Sequence, residues 1–334
     1  MTNRSPVLYL TEDDVRASIT MAEAIELAER GVIADGEGRV AGDKFYMPVG
    51  GNGFVKPFSG YLEGEDLAFV KTFSFFEGNP ARGLPATDSM VLLLSAATGL
   101  PVCIMEAGYA TALKTGASTA VTARHLARPG ARVATVFGAG GLGRAHAEAL
   151  DHVLGLDEMR VVDVLPETAR RFATEMAGRL RAPLRVCDTP REAVEGADVI
   201  VTVTTGSAVN VEPDWISPGA FVARLGSYQE VSPELFLTAD RFVVDRWEYV
   251  SHRIPEMIGL IADGRLRRDD VDAEWPDIAA DKAPGRRAPD EVILYVALGI
   301  WGEYAAILPR IYRNAVAAGR GRPVPGSPPV AVPA

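Results

Sequence analysis

Three lysines and one glycine-rich turn are the residues of this chain whose types and settings best suit chemistry. Lys71 stands in AFVKTFSFF, between residues that read as core. A buried ammonium is costly unless an anion meets it. Lys71 is therefore either a strand-end residue reaching solvent or part of a pocket for a negatively charged ligand. Lys44, in DKFYMPV, opens a β-rich region, and Lys114, in YATALKTGAST, lies amid small residues where a helix begins. Each has the ordinary reading of a solvated surface lysine. Together they equally fit a carboxylate pocket, and spacing alone leaves both readings open.

The turn is Gly138-Ala139-Gly140-Gly141-Leu142-Gly143, a G-x-G-x-x-G pattern between the apolar run RVATVF and the helical run RAHAEALDHVL. In that context the glycines allow a tight turn and close approach of a pyrophosphate, whose charge faces a helix N-terminus. A doubly wound domain that binds no nucleotide, or a different one, is the alternative. The next strand, MRVVDV, ends at Asp163, a carboxylate suited to the ribose hydroxyls of NAD and repelling a 2′-phosphate. Arg160, Arg170 and Arg171 nearby pull the other way. Thr204 and Thr205 follow ADVIVTV and either flank the cofactor or are ordinary β-branched strand residues.

These residues need a frame. VLYL followed by TEDDVRASI reads as strand then helix, with Thr11 as cap. TMAEAIELAERGVIADGEG has helical spacing and a glycine-rich stop. FVKPFSGYL, LAFVKTFSFF, SMVLLL and VCIMEA are short β-rich runs suited to an antiparallel or mixed sheet. After the helix ATALKTGASTAVTARHLAR, strands and helices alternate, which predicts a parallel sheet with crossover helices. Residues 289–319 read as one long helical stretch. The fold expected is α/β: a doubly wound parallel Rossmann sheet plus an α+β domain. Its limits are 1–125 with 300–320 for the α+β domain, 126–299 for the Rossmann domain, and 321–334 for a Pro- and Gly-rich flexible tail.

The chain has 334 residues and a net charge of −10, which argues against a nucleic-acid partner. Cys103 and Cys187 sit in apolar stretches and read as small core residues. Four scattered histidines suggest no metal site, and no apolar run is long enough to span a bilayer. A soluble cytoplasmic protein is expected.

The string from Lys71 to Ala127 resembles the ornithine cyclodeaminase/μ-crystallin family. It carries a lysine shortly before GLP, a TG-x-P turn, an acidic residue before small residues, and TAL-(basic)-T before the connecting helix, with the glycine motif following. The resemblance implies a substrate-binding and dimerisation domain beside a Rossmann domain, a homodimer, and NAD. Basic side chains would hold the carboxylate of a small amino or imino acid facing the nicotinamide. Lys71 matches the family's lysine, whereas Lys44 and Lys114 fall where arginines are usual. A lysine keeps the charge but lacks the bidentate fork. Thr115 joins the cofactor set. In Gly226-Ser227-Tyr228-Gln229-Glu230, Tyr228 occupies the place of the family's catalytic aspartate, with Glu230 as the other candidate. A phenol can relay a proton but offers no fixed negative charge.

The activity implied is an NAD-dependent amino-acid dehydrogenase or imine/ketimine reductase, moving hydride between substrate Cα and nicotinamide, with Lys71 and Tyr228 catalytic. A cyclodeaminase-type ammonia lyase with internal NAD recycling is the second reading. A non-catalytic, crystallin-type binding protein is the third. Phe73, Phe75 and Phe76 either line the pocket or belong to the core.

Overall fold

Thr11 and Thr20 start the first two helices, Glu12–Arg16 and Met21–Gly36. Each side chain accepts from the backbone three residues on, and a carboxylate there (Asp14, Glu23) accepts from the cap in return. The computed structural model describes residues 4–206, 208–325 and 330–331. The chain divides into two units, Met1–Lys114 with Trp301–Ala334 and Thr115–Ile300, the first break falling inside the helix Gly108–Leu126.

Among the described residues, the first unit holds an eight-stranded sheet. Its order is Arg322–Pro323, Leu8–Leu10, Pro101–Glu106, Thr87–Ser95, Leu67–Phe76, Gly53–Leu62 and Val40–Lys44, with Met47–Val49 also on Gly53–Leu62. Only Leu8–Leu10 against Pro101–Glu106 is parallel within this described sheet, so it is mixed. Arg322–Pro323 belongs to the stretch expected to be an unstructured tail. It pairs instead with Leu8–Tyr9, closing an edge that would otherwise expose backbone donors and acceptors. Residues 326–329 and 332–334 of that tail lie outside the described residues.

One face of this sheet is covered by the helix Trp301–Ala317, which lies on Gly53–Leu62, Leu67–Phe76 and Val40–Lys44 and packs against Met21–Gly36. The two helices touch backbone to backbone. A Cβ on Gly31 would meet the Gly302 carbonyl oxygen at 2.4 Å, and one on Gly302 would meet that of Gly31 at 2.5 Å. That closeness fixes the first turn of the C-terminal helix, which carries Glu303 and Tyr304.

The second unit is a parallel sheet of eight described strands in the order Leu184–Val186, Glu158–Val162, Val133–Phe137, Val199–Thr202, Phe221–Arg224, Ile293–Val296, Arg241–Val244 and Ala273–Glu274. Several of its strands are buried along their whole length, as the near-continuous apolar runs require. Residues 289–319 are not one helix. Ile293–Val296 is a fully buried strand between two others, and the helix starts only at Trp301, after Gly299 with φ 82°. The apolar run ILYV fits a helix face and a buried strand equally well by periodicity, and its β-branched and aromatic residues favour the strand. Among the described residues, no helix is long and apolar enough to cross a membrane. Both cysteines are buried.

Candidate active site

The parallel sheet reverses its winding between Val133–Phe137 and Val199–Thr202, which are neighbours although two other strands fall between them in sequence. Crevices outside the carboxyl ends of strands at such a point bind ligands. Gly138, with φ 100°, turns the chain there and donates its N–H to the Val162 carbonyl at 3.0 Å. A Cβ on Gly143 would lie 1.9 Å from the Gly138 oxygen, so the helix can start this close to the strand only with glycine. At Gly140 and Gly141 a Cβ would meet nothing within 4 Å. The helix Gly141–Val153 starts at this open point with no side-chain cap on its first turn. The shape and polarity fit a dinucleotide pyrophosphate. Ala139 is buried in the turn and Leu142 is partly exposed beside it.

Asp163, one residue past its strand, accepts from the Ala139 N–H at 2.8 Å and from the Leu165 N–H at 2.9 Å. Its carboxylate thus ties the glycine turn to the neighbouring strand end. Arg144 adds a second tie, donating to the Ala139 carbonyl at 2.6 Å and to Glu175 at 2.7 Å. Thr115 lies one residue before Gly116, whose Cβ position is 2.5 Å from the Ala145 oxygen of the dinucleotide helix. Thr204 and Thr205 lie beyond the end of their strand at Thr202, so they are not strand residues.

Thr204 leads to a buried network that sequence reasoning did not find. Glu230 is fully buried and accepts from Thr202 Oγ1 (2.8 Å), Thr204 N (2.5 Å), Thr204 Oγ1 (2.8 Å) and Gly226 N (2.7 Å). Both of its oxygens tie the strand end at Thr202 and Thr204 to the turn at Gly226. Arg224 pairs with Glu256 at 2.9 Å, and its other nitrogens donate to the Gly226 and Tyr228 carbonyls. Glu256 also accepts from the Glu230 N–H at 2.9 Å. An arginine in an apolar strand, FVAR, was the available signal, because such a residue needs a buried partner.

The first unit gathers the lysines on the helix-covered face of its sheet. Strand register sets Lys44 opposite Phe58 and Phe58 opposite Lys71 in one row, and Lys56 opposite Phe73 and Phe73 opposite Ser89 in the next. Lys71 is 1 % exposed. Its Nζ donates to Ser89 Oγ at 3.3 Å and lies 5.3, 5.4 and 5.2 Å from the ring centres of Phe58, Phe73 and Tyr304. Burial, with Lys114 and Lys56 close by, lowers its pKa from the ordinary lysine range to about 7. Lys114, also 1 % exposed, shares the Tyr304 ring from 4.9 Å and forms an ion pair with buried Glu303. Lys44 reaches the Phe58 ring at 6.0 Å. Of the three candidate phenylalanines, Phe73 lies against Lys71, Phe75 stacks on Phe54 and Phe76 packs at Gly53.

Several members of this face escaped the sequence reading, Lys56, Glu303, Ser89 and Tyr304 among them. Lys56 alternates with Phe54 and Phe58 in FVKPF, so a period of two would have placed it with them. Glu303, a carboxylate amid apolar residues in GIWGEYAAIL, carried the usual sign of a buried charge needing a partner. Ser89 had no distinguishing signal. The face can hold an anion: its ammonium groups lie over ring faces in a poorly solvated setting, where an opposite charge counts for more than in water.

The sequence model of the ornithine cyclodeaminase/mu-crystallin family matches residues 7–319. The chain belongs to that family. An alanine dehydrogenase of Archaeoglobus fulgidus is 28% identical over 315 residues, covering 92% of this chain and 95% of its own. Delta(1)-pyrroline-2-carboxylate reductase of Thermococcus litoralis, solved with NADH and L-proline, superposes with a TM-score of 0.91 at 29% identity, covering 95% of this chain and all of that one. An archaeal alanine dehydrogenase dimer with bound NAD has a TM-score of 0.89 at 27% identity over 96% of this chain and 100% of that one.

Proposed function

We propose that this protein is an NAD-dependent oxidoreductase of a small amino or imino acid. The single observation that carries the reading is Lys71, a buried ammonium with a pKa near 7 set among three rings on a lysine-rich face. Relatives over nearly the whole chain are dehydrogenases and reductases of such acids, solved with NAD or NADH.

The glycine turn at 138–143 would hold the pyrophosphate and Asp163 the adenosine ribose, favouring NAD over NADP. Thr115, Thr204 and Thr205 would border it. When bound, NAD accepts or returns a hydride at the nicotinamide. Residues 1–114 with 301–320 would serve as substrate domain and the parallel sheet as cofactor domain. Lys71 and Lys44 would hold the substrate carboxylate. Lys114, its charge already met by Glu303, would support Tyr304 and the rim of the pocket. In the reductive direction an imino acid, NADH and a proton give the amino acid and NAD, and Tyr228 would supply or take that proton. Binding of a carboxylate should draw Lys71 back toward its charged form.

A homodimer is part of the proposal. The sheet face opposite the helix presents Val70, 37 % exposed, with half-buried Leu92 and Ile104 in register beside it, an apolar surface suited to a second copy. The archaeal relative solved as a dimer supports it. The cytoplasm is the compartment proposed, in keeping with NAD chemistry and two buried free thiols.

The experiment is a panel of amino acids with NAD, and of imino or keto acids with amine and NADH, followed by nicotinamide absorbance. Net conversion of nicotinamide is expected. Ammonia release without net NADH would establish cyclodeamination instead. NAD binding with no turnover of any such acid would mark a binding protein.

A further inference from the structure

A carboxylate has two oxygens, and the buried group beside Lys71 that can serve the second of them is on the next strand. Ser89 opens the buried row of Thr87–Ser95 that Val91 and Leu93 continue, and it is 4 % exposed. Strand register sets it opposite Phe73, one step along the same face from Lys71, and the Ala107 N–H holds its carbonyl at 2.8 Å. Among the described residues its side chain makes one hydrogen bond, accepting from Lys71 Nζ at 3.3 Å. A hydroxyl carries one donor besides its acceptor sites. The Ser89 O–H thus has no acceptor, in a buried setting where an unused donor is costly.

We infer that Ser89 is a substrate-binding residue, its O–H donating to one oxygen of the substrate carboxylate while Lys71 Nζ donates to the other. This rests on the amino/imino-acid reading above and adds to it a residue that orients the carboxylate. Three physical arguments support it. The two donors lie 3.3 Å apart on neighbouring strands, so together they form the fork that a lysine alone lacks. The hydroxyl accepts from the ammonium, and that polarisation makes its own O–H the stronger donor. The faces of Phe58, Phe73 and Tyr304, which also surround Lys71 Nζ, carry the negative side of each ring's quadrupole and disfavour a carboxylate. The hydroxyl side is the one that favours it.

The test is calorimetric titration of the NADH-loaded protein with butyrate and with butyramide, which share a chain and differ in the carboxylate, on wild type, Ser89→Ala and Ser89→Cys. Ser89→Ala should weaken butyrate by about tenfold or more, as loss of a hydrogen bond to a charged group does, and butyramide by less than about threefold. Ser89→Cys keeps the volume with a weak donor and should also weaken butyrate. The deficit should be equal at pH 6 and pH 8, on either side of the Lys71 pKa of about 7. Lys56, Lys114 and Glu303, the other charged groups about Lys71, are untouched by either substitution. Wild-type butyrate affinity in Ser89→Ala or Ser89→Cys would overturn the inference. So would a deficit confined to pH 8, which would mean that Ser89 acts only through the proton on Lys71. The amino/imino-acid reading is tested separately by turnover: if panel acids turn over and Ser89→Ala binds butyrate as wild type does, that reading stands and this one falls.

Discussion

Arg224 and Lys71 are both fully buried cations, one in each unit, and their surroundings differ in kind. Arg224 has a carboxylate at 2.9 Å and donates to two carbonyls. Its partner Glu256 is held by backbone N–H groups, and Glu230 beside it accepts four hydrogen bonds. Among the described residues, Lys71 has a hydroxyl at 3.3 Å and three ring faces. The first arrangement is closed, with charge neutralised where it stands, as structural charges are. In the second the charged form is disfavoured by burial, a cost that an incoming anion would relieve. The comparison separates a scaffold from a site by the company a buried charge keeps.

The largest effect should come from opening the closed network. Glu256→Gln would leave Arg224 buried without its counter-charge, destabilising the protein by roughly 3–5 kcal/mol. Chemical denaturation would show this as a lower midpoint, and an unchanged midpoint would place that network among dispensable contacts. Next, Tyr228→Phe keeps the ring and the carbonyl that Arg224 holds but removes the hydroxyl. A fall of about 10²-fold in kcat with little change in KM or in stability is expected if the phenol relays a proton. Unaltered kcat would take Tyr228 out of the chemistry.

The smallest effect has the opposite sign. Lys71 has a folded-state pKa near 7, below its ordinary 10.5. Protonated Lys71 therefore costs stability in full below about pH 7, and the cost fades as pH rises from there toward 10.5, since the unfolded chain binds more protons in that window. Lys71→Met should raise the unfolding temperature of the ligand-free protein, by more at pH 6 than at pH 9. Destabilisation at both pH values would mean that the lysine is as well satisfied as Arg224.

The sequence made the dinucleotide turn legible because its constraints are local. Gly143 is needed against Gly138, and the strand before and helix after are contiguous in sequence. Asp163 was singled out for the same reason, one strand further on. The lysine face was half legible. Lys44, Lys71 and Lys114 stood out against apolar or small neighbours, whereas Lys56, Glu303 and Tyr304 join them only through strand register and the return of a helix nearly two hundred residues later. Tyr228 and Glu230 were competing candidates at the level of sequence. That buried Glu230 accepts four hydrogen bonds comes into view only in the fold. The strand Ile293–Val296 was misread as helix because four apolar residues have no period of their own.

The central claim is that Lys71 serves an anionic substrate and not the fold. It is tested most directly by Lys71→Ala, assayed for turnover of the best acid in the panel and, in parallel, for NADH binding by fluorescence. Turnover should fall by about 10³-fold or more with NADH affinity unchanged. Normal turnover by the folded variant would contradict the account.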